Sequence, residues 1–353
     1  MYAWRKLSHR FHRFNGQPEH PPHNQTIRSK RLHACHVFRL RFPNKGSAAR
    51  KTPPLYKNPR RPAILFSTAR IALNYFHSVS DVMVPLFTVP TLQPNVIFLV
   101  TNHNASCVTS VHRKTIETLS KYEVVDIDRD KNRTLCFTNL IVGLKAHPSD
   151  LSIDPSVVEP FHPKPHQAFT HHLLLEERLS GRPYSARMLI VSRTKNRKLM
   201  NELELLKLAR MLGFDPAIHD LGDHVEYSAK IVNTFDIMVA VHGSALTNML
   251  FLPENAVVIQ IIPWGLDDQA RMCFAKNPQE MKLKYLEYKI APNESSFLGN
   301  YSKDSLLYTN PLKYRDNIGQ PAYFTLLVNK QNVNLDLARF KDTLLKALDL
   351  MAA

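Results

Sequence analysis

The sequence predicts an α/β protein long enough for two domains, the second of them doubly wound, preceded by a basic, disordered tail. Three observations lead there. Residues 188–262 alternate short apolar runs rich in β-branched side chains with stretches of helical period, as parallel strands crossed over by helices do. Residues 237–241 (I-M-V-A-V) contain no polar side chain, which suits a central parallel strand covered on both faces. The charge is uneven: residues 1–61 hold 15 Lys/Arg against the single acid Glu19, leaving 31 Lys/Arg against 29 Asp/Glu in the rest of the 353-residue chain.

Residues 1–61 form the tail. Arg, His and Pro dominate it and no helical or strand period is present, so it cannot bury enough surface to order itself. It has neither a signal-peptide core nor a run of about 20 apolar residues. Residues 82–111 lack Lys, Arg, Asp and Glu, but Pro85, Pro90 and Pro94 divide them into a helix end, a loop and a strand. Cys35, Cys107, Cys136 and Cys273 stand far apart without C-x-x-C spacing, which excludes a zinc ribbon. Five N-x-S/T sequons, at Asn24, Asn104, Asn132, Asn293 and Asn300, permit a life in the secretory pathway.

The first domain is expected at 62–183. Strands are read at 63–67, 96–100 and 124–127, with one or two more in 135–144; helices are read at 74–92, ended or kinked by Pro85, and at 109–121. From 145 to 187 the period weakens, and a helix at 166–178 precedes the turn Gly181-Arg182-Pro183, where the domain boundary is placed. The second domain, 184–334, runs strand 188–192, helix 200–212, strand 214–219, helix 224–234, strand 237–241, helix 245–251 and strand 257–262. In helix 200–212, Leu203, Leu206, Met211 and Leu212 recur at helical spacing and are expected to face the sheet. The terminal segment, 335–353, carries an amphipathic helix at 335–350 expected to pack back on the first domain.

Four groups of residues are candidates to carry chemistry. After strand 237–241 come His242, Gly243 and Ser244, where Gly243 permits a sharp turn and Ser244 is placed as a helix N-cap; free N–H groups would point there toward an anion, or the segment is an ordinary strand-to-helix turn. After strand 188–192 come Arg193, Lys195 and Arg197, at the strand end where α/β sheets bind ligands; guanidinium groups there would grip a diphosphate bidentately, or form a solvated basic turn. In N-Y-F-H-S-V-S-D, His77 and Asp81 stand four apart near a helix start, as a general base and its orienting carboxylate or as a structural pair. His147 is a weaker candidate of the same kind. D-I-D-R-D at 126–130 offers Asp126 and Asp128 to a metal, or a solvated turn. No Walker loop, G-x-S-x-G elbow or H-E-x-x-H is present.

Together these stretches resemble glycosyltransferase family 61, above all its plant members that decorate xylan. The resemblance covers roughly residues 61–351 and rests on F-S-T with N-Y-F-H-S-V-S-D-V-M-V-P-L-F (66–87), D-I-D (126–128), I-V-G-L-K-A-H (141–147), S-I-D-P (152–155), S-R-T-K-N-R with Asn201-Glu202, V-H-G-S-A-L-T-N-M-L-F-L-P (241–253), and N-E-S-S-F (293–297) with Tyr301 and Asp304. Ala245 replaces the family's second glycine in H-G-A-G-L-T-N, and residues 69–73 replace glycines common before N-x-F-H.

The resemblance implies a GT-B fold, two doubly wound Rossmann-like domains facing a cleft, and an inverting, metal-independent transfer from a UDP-sugar to a polysaccharide such as xylan, with no cofactor beyond the donor. Arg193, Arg197, His242, Gly243, Ser244 and Asn248 would hold the diphosphate, Glu294 the ribose hydroxyls, and His77 with Asp81 would serve the acceptor from the first domain. A Golgi location is implied, with membrane contact only through an anchor this sequence lacks. A catalytically impaired sugar-nucleotide binder, and a nucleic-acid binder acting through the basic tail, are the rival readings; no nucleic-acid partner is expected on the favoured one.

Overall fold

The computed structural model describes residues 55–58, 61–68, 74–88, 95–102, 116, 119–129, 134–137, 139–144, 151–153, 185–222 and 225–352. The helix expected at 166–178, residues 69–73, Asp130 and His147 lie outside the described residues, as does most of the helix expected at 109–121. The chain divides into two units, one of Met1–Leu73 with Asp81–Lys145, the other of Asn74–Ser80 with Ala146–Ala353.

In the first unit, β1 (Leu55–Asn58) pairs in parallel with β5 (Thr134–Phe137), so part of the expected tail is a strand whose backbone is taken up by a partner 79 residues further on. β2 (Ala63–Ser67), β3 (Ile97–Thr101), β4 (Val125–Asp126) and β6 (Leu140–Val142) form a second, wholly parallel sheet in the order β4-β3-β2-β6. Ala63, Leu65, Ile97 and Leu99 pack on one face of it, while Phe66 meets Phe98 edge-on at 6.0 Å on the other. Burial on both faces explains why these strands read as continuous apolar runs.

The segment expected as one helix is α1 (Tyr75–Ser78), a π-helical stretch at Val79–Met83 and α2 (Val84–Phe87). Asn74 caps it, its side chain accepting from the Phe76 N–H at 3.0 Å. Pro85 cannot donate to the carbonyl four residues back and its ring crowds that carbonyl; the wider turn just before it relieves both problems. The division between units falls inside the π-helical stretch, after Ser80, so His77 belongs to the second unit and not, as expected, to the first.

In the second unit, β7 (Arg187–Val191), β8 (Asp215–His219), β9 (Ile237–Val241), β10 (Val257–Ile262) and β11 (Lys284–Lys289) form one parallel sheet in the order β11-β10-β9-β7-β8. The chain runs from β7 outward to β8, then returns to the other side of β7 to lay down β9, β10 and β11. β7 and β9 therefore flank the topological switch point, where the loops leaving their carboxyl ends diverge and open a crevice for ligand.

Crossover helices α3 (Glu202–Met211) and α4 (Val225–Val232) follow β7 and β8. α3 buries Leu205 and Ala209, whereas Leu203 is 63% and Met211 77% exposed, so its sheet-facing side is rotated from the one expected; Leu206 and Leu212 pack at the margin. The helix expected after β9 is a 3-10 helix, Ser244–Phe251. Among the helices not foreseen are α5 (Asp267–Phe274), α6 (Pro311–Ile318) and α7 (Gln320–Asn329). The terminal helix, α8 (Leu337–Ala352), was expected on the first domain. It instead buries Phe340, Leu344 and Ala347 in the core of the second unit, beside Tyr288 of β11 and Val333.

Candidate functional site

The two loops at the switch point carry the basic and glycine motifs, and they meet. Gly243 has φ +154°, and a Cβ built there would lie 2.8 Å from Arg193 Nη1 and 3.0 Å from Arg197 Nη2. Only a glycine lets both guanidinium groups come this close to the backbone at the end of β9. The fit is made at Gly243 itself, not at the position of Ala245.

The loop from β7 is built to hold that geometry. Arg193 Nε donates to the Asn196 carbonyl at 2.8 Å, and Arg197 adopts φ +53°, a left-handed conformation that β-carbons disfavour. Bracing comes from 329–333: Asn196 Nδ2 donates to Asn329 Oδ1 at 3.1 Å, the Lys198 N–H donates to Asn332 Oδ1 at 3.0 Å, and the Met200 N–H donates to the Val333 carbonyl at 2.7 Å. Lys195 is exposed at the rim.

The electrostatics favour an anion. Arg197 is buried, its Nε finds no acceptor among the described residues, and its pKa is lowered to about 10 by burial and then by the charge of Arg193. Burial also lowers Arg193, with Asp220 opposing the shift. Two desolvated guanidinium groups side by side repel each other until an anion arrives, an arrangement typical of a binding site.

His242 lies beneath them. Its pKa is lowered to about 3 by burial, then by Arg197 and Arg193, so the imidazole is neutral. Its Nδ1 is 2.9 Å from Gln260 Nε2, and Gln260 Oε1 accepts from the Tyr285 hydroxyl at 2.5 Å. Gln260 was missed from sequence, although a lone amide inside V-V-I-Q-I-I is a visible signal, since a buried polar group has to be satisfied by something.

Ring contacts connect His242 to His77. His242 meets Phe274 at 5.7 Å, Phe274 meets Phe76 at 5.2 Å, and Phe76 meets His77 at 5.2 Å, each edge-to-face. His77 is half-buried and Asp81 exposed, on opposite sides of the division between units.

Two expected ligand-binding residues are used otherwise. Asn248 is fully buried: its Oδ1 accepts from the Tyr75 hydroxyl at 2.7 Å, and its Nδ2 donates to the Ala245 carbonyl at 3.0 Å. Both ends of the amide are therefore engaged inside the protein. Glu294 is 1% exposed, accepting from the Tyr288 hydroxyl and the Ala291 N–H at 2.6 Å each, from the Asp336 N–H at 2.8 Å, and from Arg339 Nη1. These donors occupy its oxygens and tie down the start of α8, the arrangement of a structural anchor. Ser244 is half-buried at the start of the 3-10 helix, with Gly243 in the N-cap position expected for Ser244.

The D-I-D pair is likewise taken up locally. Asp128 accepts from Thr101 Oγ1 at 3.2 Å and from the Asn102 N–H at 2.5 Å, while Asp126 accepts from the Asp128 and Arg129 N–H groups at 3.0 and 3.3 Å and pairs with Arg129 Nε at 3.3 Å. Together they close the turn after β4. Among the described residues, no group of three or more His, Cys, Asp or Glu is placed to hold a metal.

A parallel α/β unit with two desolvated arginines at its switch point has a crevice suited to an anionic ligand. Comparison with known proteins then assigns the family: the Glycosyltransferase 61 family model matches residues 75–259. The chain belongs to glycosyltransferase family 61. It is 33% identical over 322 residues to alpha-1,3-arabinosyltransferase XAT2 of Oryza sativa subsp. japonica, covering 86% of this chain and 53% of that protein. Over 318 residues it is 33% identical to beta-1,2-xylosyltransferase XYXT1 of the same organism, covering 86% and 66%. Xylan glycosyltransferase MUCI21 of Arabidopsis thaliana is 31% identical over 309 residues, covering 81% and 61%. The chain thus spans about half to two-thirds of the length of these three relatives.

Proposed function

We propose that this chain is an inverting glycosyltransferase that moves a pentose, xylose or arabinose, from a UDP-sugar to xylan, in a GT-B arrangement. One observation carries the donor side: Arg193 and Arg197 converge on the bare Cα of Gly243 at the switch point. They would hold the diphosphate and neutralise the negative charge that grows on it as the glycosidic bond breaks, a task a metal performs elsewhere. Neutral His242 and the backbone at Ser244 add hydrogen-bond donors. The relatives named for xylosyl and arabinosyl transfer, and MUCI21 named for xylan, support the sugar and the acceptor.

On the acceptor side, His77 would take the proton of the attacking sugar hydroxyl. The hydroxyl oxygen forms the new bond to the anomeric carbon on the face opposite UDP, and the old bond's electron pair leaves on the β-phosphate, which inverts the configuration. Asp81 is retained as its orienting carboxylate. The Golgi lumen is the compartment we assign to this chemistry; among the described residues, no helix is long and apolar enough to cross a membrane.

Incubating the purified chain with a panel of UDP-sugars, with and without a xylan oligosaccharide, tests the proposal. Acceptor-dependent release of UDP from a UDP-pentose, undiminished by a chelator, is the expected result. Binding of UDP without turnover of any donor would favour the impaired sugar-nucleotide binder. Collapse under EDTA with rescue by manganese would remove the metal-independent mechanism.

A further inference from the structure

We propose that Gln260 is a positioning residue that holds His242 in its neutral Nε2–H tautomer, so that the imidazole meets a bound diphosphate as a hydrogen-bond donor. The inference rests on the diphosphate reading of the Arg193 and Arg197 site. It begins with a fully buried amide on β10, where every neighbour in the strand is apolar. A primary amide has an oxygen that only accepts and a nitrogen that only donates, so its orientation decides what its partners must be.

The partners determine that orientation. The end facing His242 Nδ1 at 2.9 Å also lies 3.4 Å from the Ala270 carbonyl oxygen. A carbonyl oxygen cannot donate; if the amide were turned around, two acceptor oxygens would face each other with no hydrogen between them. The end facing Nδ1 is therefore the NH2 group, with one hydrogen for each partner.

Tyr285 holds the other end. Its hydroxyl lies 2.5 Å from Gln260 Oε1 and 3.4 Å from Glu287 Oε1, and burial together with the Glu287 charge raises its pKa, so it keeps the proton it donates. Glu287 is fixed in turn by Arg271, whose Nη2 donates to Oε2 at 3.1 Å. The chain Arg271, Glu287, Tyr285, Gln260, His242 thus runs from the surface into the site, with each member setting the orientation of the next.

Because Nδ1 accepts and the ring is neutral, the imidazole proton resides on Nε2. A bare Nε2 would present a lone pair to phosphate oxygens and repel them. An imidazolium would place a third cation against Arg193 and Arg197. The neutral Nε2–H form alone donates without adding charge.

The test uses the full chain labelled with 15N-histidine, without nucleotide, the His242 signal being identified by its loss in His242→Asn. Long-range proton–nitrogen correlation is expected to show a neutral ring protonated at Nε2; a ring protonated at Nδ1 overturns the proposal. Gln260→Glu replaces the donor with an acceptor and is expected to move the proton onto Nδ1 and weaken UDP binding, measured calorimetrically, by about tenfold or more. Gln260→Leu, which avoids a buried charge, is expected to weaken UDP binding in the same direction with a smaller loss. A folded Gln260→Leu chain that binds UDP as tightly as the wild type would refute the positioning role. A wild-type chain with the expected tautomer but no affinity for UDP would leave the Gln260–His242 assignment standing and sink the diphosphate reading.

Discussion

The Tyr75 hydroxyl donates to Asn248 Oδ1 across 2.7 Å in the interior of the second unit, joining α1 to the 3-10 helix after β9. The bond ties the segment bearing His77 to the one that begins at Gly243. It also explains why an asparagine is used there: one amide accepts from Tyr75 and donates to the Ala245 carbonyl.

Tyr75→Phe leaves Asn248 Oδ1 buried without its donor and should lower stability by about 1–3 kcal/mol. Asn248→Ala should cost at least as much, since both bonds and the packing volume are lost. Denaturant unfolding checks both, and unchanged midpoints would show the bond to be unimportant.

Gly243→Ala should damage the site without damaging the sheet. The added Cβ meets two guanidinium groups at 2.8 and 3.0 Å, and φ +154° is unfavourable for any β-carbon. The guanidinium groups can withdraw, at the expense of ligand geometry. UDP affinity should fall about tenfold or more, as it should in Arg197→Ala, where a charge-assisted contact worth about 1.5–3 kcal/mol is removed. Calorimetry on folded variants decides, and full affinity in Arg197→Ala would take that residue out of the site.

His242 should make the fold acid-sensitive. Its folded pKa of about 3 lies below the ordinary 6.5, so between those values the unfolded chain binds a proton that the folded chain refuses. Its contribution is complete above pH 6.5 and is lost as pH falls toward 3, at up to about 1.4 kcal/mol per pH unit. Stability measured from pH 7 to pH 5 should decline less steeply in His242→Asn than in the wild type.

Glu294→Gln separates a structural carboxylate from a ribose ligand. Removing the charge takes a charge-assisted partner from half-exposed Arg339 and weakens the hold on α8, for an expected loss of about 1.5–3 kcal/mol. UDP affinity of the folded variant should stay as it was. A loss of UDP affinity at unchanged stability would restore the ligand role.

His77→Ala should cut turnover by about 10² to 10⁴, the range of general-base assistance. UDP affinity should change little, because Phe76 and Phe274 stand between His77 and His242. Asp81→Asn should have a smaller effect of the same sign. A fully active His77→Ala chain would assign that histidine to structure.

Much of the fold was legible from composition and period. Residues 63–67 and 257–262 were read with the bounds the structure shows, because strands buried on both faces are predominantly apolar and Pro62 and Pro263 bound these two. β11 was not, because K-Y-L-E-Y-K is an edge strand with only Tyr288 buried, and its alternating pattern lacks that continuous signal. The sheet-facing side of α3 was misjudged because Leu203 and Met211 suit an apolar stripe as well as Leu205 and Ala209 do; which pair turns inward depends on the sheet beneath.

The sequence by itself determined the parallel α/β order of the second unit and the pairing of a basic turn with His242-Gly243 on two strand ends, since both follow from local residue type. Only the tertiary structure decided which polar side chains remain available to a ligand. Asn248 and Glu294 have the chemistry of ligand-binding residues, yet Tyr75, 173 residues away, occupies one, and Arg339, 45 residues away, holds the other. Gln260 became part of the site through Tyr285 and Ala270. A buried polar atom takes whatever partner the fold brings to it, and that partner's distance along the chain leaves no local trace.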